Sequence, residues 1–275
     1  MRILVAASLG LLVLSCGGKD DEKPAGEAVT EELEFAVGDD FFDDWKTYTY
    51  RNIRIVFPEN HPQTGFLEDM ARGYVGAIER DCQFLGIEIP AETLTVYFYT
   101  GYGQGMSSTN QEYPFAIPEK AVIHFWLPSF LGPTLMQYLL PKWQAGEPQF
   151  RFLKHGMIAL LDYSGQNYHK RTQGFAADTG FIPLVDLAVD TNVNFNEERH
   201  QTAEAASFVD FVVYYYGIDA LKGLYTAEDS FEAAVDRVFR LPVEELEDLW
   251  LGFVDMAAEM DTVDMSKANR PQGGQ

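Results

Sequence analysis

Residues 48–99 read YTYRNIRIVFPENHPQTGFLEDMARGYVGAIERDCQFLGIEIPAETLTVYFY, and the change of period inside this stretch decides the fold. From 48 to 57 apolar and polar residues alternate. Ile53, Ile55 and Phe57 share one face, Arg54 takes the other, and Pro58 stops the run, which predicts a single strand. From 64 to 85 the spacing becomes helical: Leu67, Met70, Ala71, Tyr74, Ala77, Ile78 and Leu85 form one stripe, with Thr64 placed to cap it and Gly86 to end it. Residues 93–99 return to β-branched and aromatic types, the mark of a second strand. A strand, a one-sided helix and another strand imply a sheet with the helix laid on one face.

Toward the C-terminus, 121–127 reads as a further strand, separated from 93–99 by a loop rich in Gly, Ser, Asn and Pro. Past Pro128 helical spacing takes over, first in 131–140 and 150–163. It continues in a stripe of Ala205, Phe208, Val209, Val212, Val213 and Tyr216 that ends at Gly217. Asp229 with Glu232 has the form of a capping box for a helix through Phe239. Pro242 opens a last helix with Leu246, Leu249, Trp250 and Phe253 on its buried face. The expected class is α+β: a small N-terminal mixed sheet with a long helix, followed by a helical C-terminal half, in one domain over 47–265. Residues 266–275 form a polar tail.

Toward the N-terminus, Arg2 precedes an apolar run over 3–14, a basic start and an apolar stretch of secretory-signal length. A membrane-spanning helix needs roughly 20 apolar residues, so this run is too short to span. It ends in Val13-Leu14-Ser15-Cys16, which resembles the lipobox of bacterial lipoproteins. That resemblance implies cleavage after Ser15 and acylation of Cys16, including palmitate, giving a stable membrane anchor. Residues 1–15 are then the signal peptide and 16–46 a lipidated acidic tether. Gly17, rather than aspartate, follows the cysteine, and the resemblance implies an outer-membrane location facing the periplasm or the cell surface. Lys19-Asp20-Asp21-Glu22 also resembles a surface-export signal, although a solvated charged tether is the favoured reading of so short a motif.

The tether from 19 to 44 holds eleven acidic residues against Lys19 and Lys23, a large part of the chain's net charge of −22. Phosphates are recognised by Lys and Arg, so this balance argues against a nucleic-acid partner and against charge-driven binding of anionic lipid. Among 275 residues only Cys16 and Cys82 are cysteines. With Cys16 acylated no internal disulfide can form, and Cys82, inside a helical apolar pattern, reads as a small buried hydrophobe.

Three stretches bear on function: IRIVF (53–57) with FLGIEIP (84–90) and LTVYFYT (94–100); FLKHGMIALLDY (152–163); and AASFVDFVVYYYGIDALKGLY (205–225) with LPVEELEDLW (241–250). Together, over about 48–256, they resemble gluzincin-type, peptidase-MA-like zinc metallopeptidases. Working members carry His-Glu-x-x-His on one helix, which sets two histidines a turn apart toward zinc while the glutamate activates the metal-bound water. The matching helix here reads LGPTLMQYLL (131–140). Pro133 stands at the first histidine, Thr134 at the glutamate and Gln137 at the second histidine. His155 before Gly156 takes the place of the third ligand in the Glu-Gly pair. Neither proline nor threonine ligates zinc, so no metal site, no cofactor and no catalytic residue are expected, and the chain reads as a pseudoenzyme.

Other motifs are weaker. Gly101, Gly103 and Gly105 follow a strand but lack the third glycine of a dinucleotide fingerprint and the Lys-Ser/Thr of a phosphate loop, so they read as a flexible loop bordering a cleft with His155 and Gly156. His200 with Glu204 has metal-ligand spacing but reads as a solvated helix start, and Glu197, Glu198, Glu244, Glu245 and Glu247 as solvated faces. Ser107, Ser108, Ser129, Ser164 and Ser207 sit in no nucleophile elbow. The aromatic runs 97–99 and 214–216 read as core and core rim rather than ligand platforms. The expected function is a membrane-anchored envelope lipoprotein with a catalytically inactive metallopeptidase-like body that binds a peptide or protein, or serves in a larger envelope assembly. The alternative is a divergent zinc hydrolase with a degenerate or relocated site.

Overall fold

The computed structural model describes residues 42, 44–178, 180–189 and 199–259. The signal segment, Cys16, most of the tether and the 266–275 tail lie outside the described residues. None of the described helices is long and apolar enough to cross a membrane.

A five-stranded sheet holds the N-terminal part: β1 (Lys46–Tyr50), β2 (Ile53–Phe57), β3 (Leu94–Phe98), β4 (Phe115–Ile117) and β5 (Val122–Phe125). Its spatial order is β1-β2-β3-β5-β4; β2, β3 and β5 are parallel, and the two edge strands run antiparallel to them. The expected single strand over 48–57 is a hairpin instead. Arg51, in a left-handed conformation (φ 50°), and Asn52 turn the chain so that Tyr50 pairs with Ile53. Arg51-Asn52 interrupts the alternation too briefly to stand out in the sequence.

The sheet is helix-covered on one face. Ile53, Ile55, Leu94, Val96 and Ile123 are fully buried there with Ala71, Tyr74 and Ile78 of α1 (Leu67–Leu85) and Leu135 and Leu139 of α3 (Leu131–Trp143). Alternation therefore does what a sheet with one covered face requires. Gly86 ends α1 in the left-handed region (φ 68°), as expected, and Cys82 is buried. Thr64 does not cap α1; it opens a single 3-10 turn, and the helix proper starts at Leu67.

Two elements lie where a loop is expected. α2 (Tyr102–Thr109) is helical because Gly105 lets it lie on Trp126, whose ring would be 2.4 Å from an added Cβ; glycine here serves close approach, not mobility. β4 is three residues held between Pro114 and Pro118, which mask any strand pattern.

The remainder is helical: α4 (Arg151–Leu160), α5 (Tyr168–Ala177), α6 (Leu184–Val189), α7 (Arg199–Tyr216), α8 (Ile218–Tyr225), α9 (Phe231–Phe239) and α10 (Val243–Ala258). α7 is the hub, with Ala205, Phe208, Val209 and Val212 buried against α4, α5 and α10. α4 crosses it so closely that a Cβ on Gly156 would meet the Ala205 carbonyl oxygen at 2.4 Å. Ser230, not Asp229, caps α9, accepting from Ala233 N at 3.3 Å, while Asp229 pairs with Arg237. α10 buries Leu246, Trp250 and Phe253 as expected, but Leu249 is exposed. The fold is thus mixed α/β, a small N-terminal sheet followed by a mostly helical remainder.

Candidate functional site

Pro133, Thr134 and Gln137 lie along the first half of α3, and His155 lies in α4. Their side chains serve the scaffold. Thr134, buried beside the Tyr74 phenol, donates its hydroxyl to the Leu131 carbonyl at 3.0 Å, the backward bond that threonine often makes within a helix. Gln137 reaches the sheet edge, where its Oε1 accepts from Ala116 N in β4 at 3.1 Å. That amide faces away from β5, so Gln137 covers the edge donor that an added strand would need. His155 is half-buried, and burial first, then the neighbouring Arg151 and Lys154, lowers its pKa to about 4, with Glu147 opposing. Its imidazole is therefore neutral at physiological pH.

A groove of about 310 Å³ opens beside Gln137, between β4 and the last turns of α3. Ala116, Glu119, Gln137, Lys154 and Tyr225 are among the residues that line it. Glu147 pairs with Lys154 at the rim. The volume is at the lower end for a small-ligand site, and the lining offers carboxylates, an amide and an ammonium rather than an apolar slot. Gly101 and Gly103 stand in open space in or beside α2, whereas Gly105 and Gly156 face packed neighbours. The groove thus adjoins Gln137 and His155's neighbour Lys154, not the glycine segment. Glu119, Glu147, Lys154 and Tyr225 carry no local motif, and only the packing of α4 and α8 around α3 brings them together.

The opposite sheet face carries a stacked row. His124 lies between Tyr97 (5.1 Å, 15°) and Phe115 (4.7 Å, 10°), and its Nδ1 is 2.7 Å from the Tyr99 hydroxyl. Burial lowers the pKa of His124 to about 3, so a neutral ring accepts that hydroxyl proton. Phe42 and Trp45 close over Tyr97 and Tyr99, which makes this row packed structure rather than an open platform. Tyr214, Tyr215 and Tyr216 are more exposed than expected at the end of α7, yet their rings still pack on the rim of the body, Tyr214 and Tyr215 on Phe253 and Tyr216 on Phe239.

The most complete buried polar network lies elsewhere, between α5, α7 and α10. His169 Nε2 is 2.8 Å from Asp210 and Nδ1 is 3.0 Å from Ser207 Oγ, which also accepts from Trp250 Nε1 at 3.0 Å. With Nε2–H donating to Asp210 and the Ser207 hydroxyl donating to Nδ1, every donor finds an acceptor. The residue types match a hydrolase triad, but the ring is turned round: a nucleophilic serine needs Nε2 and the orienting carboxylate Nδ1. Ser207 is also fully buried and held by the indole, so this is a fastening, not a nucleophile. The sequence gives no sign of it, since its members are some 40 residues apart.

Nearby, His200 is exposed and stacks on Phe175 at 3.9 Å, while Glu204, expected at a solvated helix start, is fully buried. Glu204 Oε1 accepts from Ile182 N at 3.3 Å and Oε2 is buried without a partner; burial first, then Glu247, raises its pKa to about 8. Glu247 is likewise more than a solvated face, for it accepts from Leu184 N. Among the described residues no group of His, Cys, Asp and Glu is arranged to hold a metal ion.

The arrangement defines a mixed α/β body with a small polar groove at one sheet edge. No protein-family model matches the chain, and no curated protein matches it.

Proposed function

We propose that this chain is a bacterial envelope lipoprotein, anchored through lipid on Cys16, whose metallopeptidase-like body binds rather than cleaves. Gln137 carries the binding half of this reading. At the position of a zinc histidine it holds the backbone of β4 at 3.1 Å, so it is committed to the scaffold beside a polar groove. Thr134, at the position of the general base, is spent on a backbone carbonyl and has no titratable group to offer water. The groove suits a peptide-like ligand that presents both charges, received by Lys154 and by Glu119. Ala116's covered amide favours side-chain recognition over strand addition.

Two measurements test it. Palmitate labelling should mark the protein and vanish in Cys16→Ser; labelling that persists sinks the anchor. Purified protein should hold far less than one zinc per chain and show no chelator-sensitive peptide cleavage. Stoichiometric zinc with such cleavage would establish the hydrolase alternative.

A further inference from the structure

The parallel strands place one set of loops together. Because β2, β3 and β5 run the same way, the segments after Phe57, Phe98 and Phe125 leave from a single end of the sheet. The edge strands add to it: Lys46, the first residue of β1, pairs with Phe57, and Phe115, the first of β4, pairs with His124. His61 fastens the first loop to this end, bonding the Tyr99 carbonyl at 3.1 Å.

This end is unusually apolar for so acidic a chain. Phe66, Tyr102, Met106, Tyr113, Leu127 and Phe130 all leave from it, each 38–65% exposed. Tyr102 and Met106 lie one turn apart on α2, and Leu127 and Phe130 follow the adjacent strand β5. Residues 93–111 and 121–141, which supply most of the patch, contain no Asp, Glu, Lys or Arg. At the rim Glu59 and Glu68 are each paired, with Lys46 and Arg72 at 2.6 Å, and Asp69 and Glu112 complete the margin.

The chain also enters the body here. Phe42 and Trp45 stack on Tyr97 and Tyr99 just before β1 begins, so the segment that leads back to Cys16 leaves from the same end. We infer that this sheet end docks on the surface of the lipid bilayer that holds the anchor, inserting Tyr102, Met106, Leu127 and Phe130 among the headgroups. The inference rests on the lipoprotein reading above. Aromatic and aliphatic side chains seat at that depth, and tyrosine in particular settles where water meets acyl chains. A chain with net charge −22 is repelled by anionic lipid, and because 93–111 and 121–141 carry no carboxylate, most of this apolar area meets lipid without carrying one into it. The groove beside Gln137 would then lie lateral to the membrane-facing end.

The test uses the full lipidated protein on phosphatidylcholine vesicles, with an environment-sensitive fluorophore on Phe130→Cys and, as reference, on Glu228→Cys in the helical half. Cys82 is buried and does not compete for label. The probe at 130 should shift to the blue, be quenched by nitroxide lipids, and resist acrylamide several-fold better than the probe at 228. In a background of Met106→Glu and Leu127→Glu, with the far-ultraviolet dichroism unchanged, the protein should stay on the vesicles while the probe at 130 returns to water. Equal acrylamide quenching at 130 and 228 on vesicle-bound protein overturns the docking and leaves the anchor intact. Shielding of 130 that appears only after a protein is added overturns it in favour of that partner. Protein that does not float with vesicles, and whose Cys16 takes up label, overturns both the docking and the lipoprotein reading.

Discussion

The seam between α3 and α4 and the seam between α7, α5 and α10 hold comparable residue types to opposite effect. In the first, Leu135, Met136, Leu153 and Met157 are fully buried and Thr134 and Gln137 are spent on backbone. In the second, where no motif points, a histidine, an aspartate, a serine and a tryptophan satisfy one another in full burial, and a glutamate beside them is left short of a partner. A motif position is a place in a sequence pattern; burial and partner count tell what the side chain there does.

Glu204 should give the widest effect. Its folded pKa is raised from about 4.5 to about 8, so between those values the folded state keeps a proton that the unfolded chain has lost. Stability is therefore highest on this account below about pH 4.5 and falls as pH rises toward about 8, by on the order of 4 kcal/mol. Asp81, buried under Tyr163 with its pKa raised to about 7, adds the same sign. Urea midpoints between pH 4.5 and 8.5 should fall in the parent and flatten in Glu204→Gln, and flatten further with Asp81→Asn. A parent curve that rises over this range would contradict the buried, neutral glutamate.

The satisfied network should be costly to cut. Asp210→Ala leaves the His169 Nε2–H facing a dry interior and should cost about 3 kcal/mol in urea unfolding. A cost near zero would mean that water reaches the site and that the α5–α7–α10 seam is looser than the geometry implies.

Much of this contrast was out of reach of the sequence. The order of elements was legible because period changes cleanly from 53–57 to 67–85 and back at 94–98, and Gly86 and Pro242 act where a left-handed cap and a helix start demand them. Arg51-Asn52 and Phe115–Ile117 escaped because a two-residue turn and a three-residue edge strand give no period to detect. Gly105 misled for a related reason: glycine marks a close approach as readily as a loop, and only the indole of Trp126 distinguishes the two. At the candidate site, Gln137 was singled out by its frame position, yet its bond to Ala116 depends on a strand that the sequence hides.

Gly156→Ala tests the close crossing of α4 on α7. The added methyl would meet the Ala205 carbonyl carbon at 2.7 Å as well as its oxygen, and both are backbone atoms that cannot rotate away. Separating the helices should cost about 2 kcal/mol and lower the thermal midpoint, although alanine is the better helix former. An unchanged midpoint would show that the crossing can open freely, and the groove wall at Lys154 with it.

The smallest expected effect bears most directly on the groove. Gln137→Ala removes one hydrogen bond to a partly buried edge amide, worth about 1 kcal/mol. It also enlarges the groove and uncovers Ala116 N, so loss of stability and gain of edge reactivity should appear together. Amide hydrogen exchange reads both, since Ala116 should lose protection while Ile123, its partner in β5 on the covered face, keeps it. Selective loss at Ala116 would identify Gln137 as the cover on β4. Uniform loss across β4 and β5 would instead make it a general prop of the sheet, and the seam around α3 would then be held by its polar residues as strictly as the seam around α7.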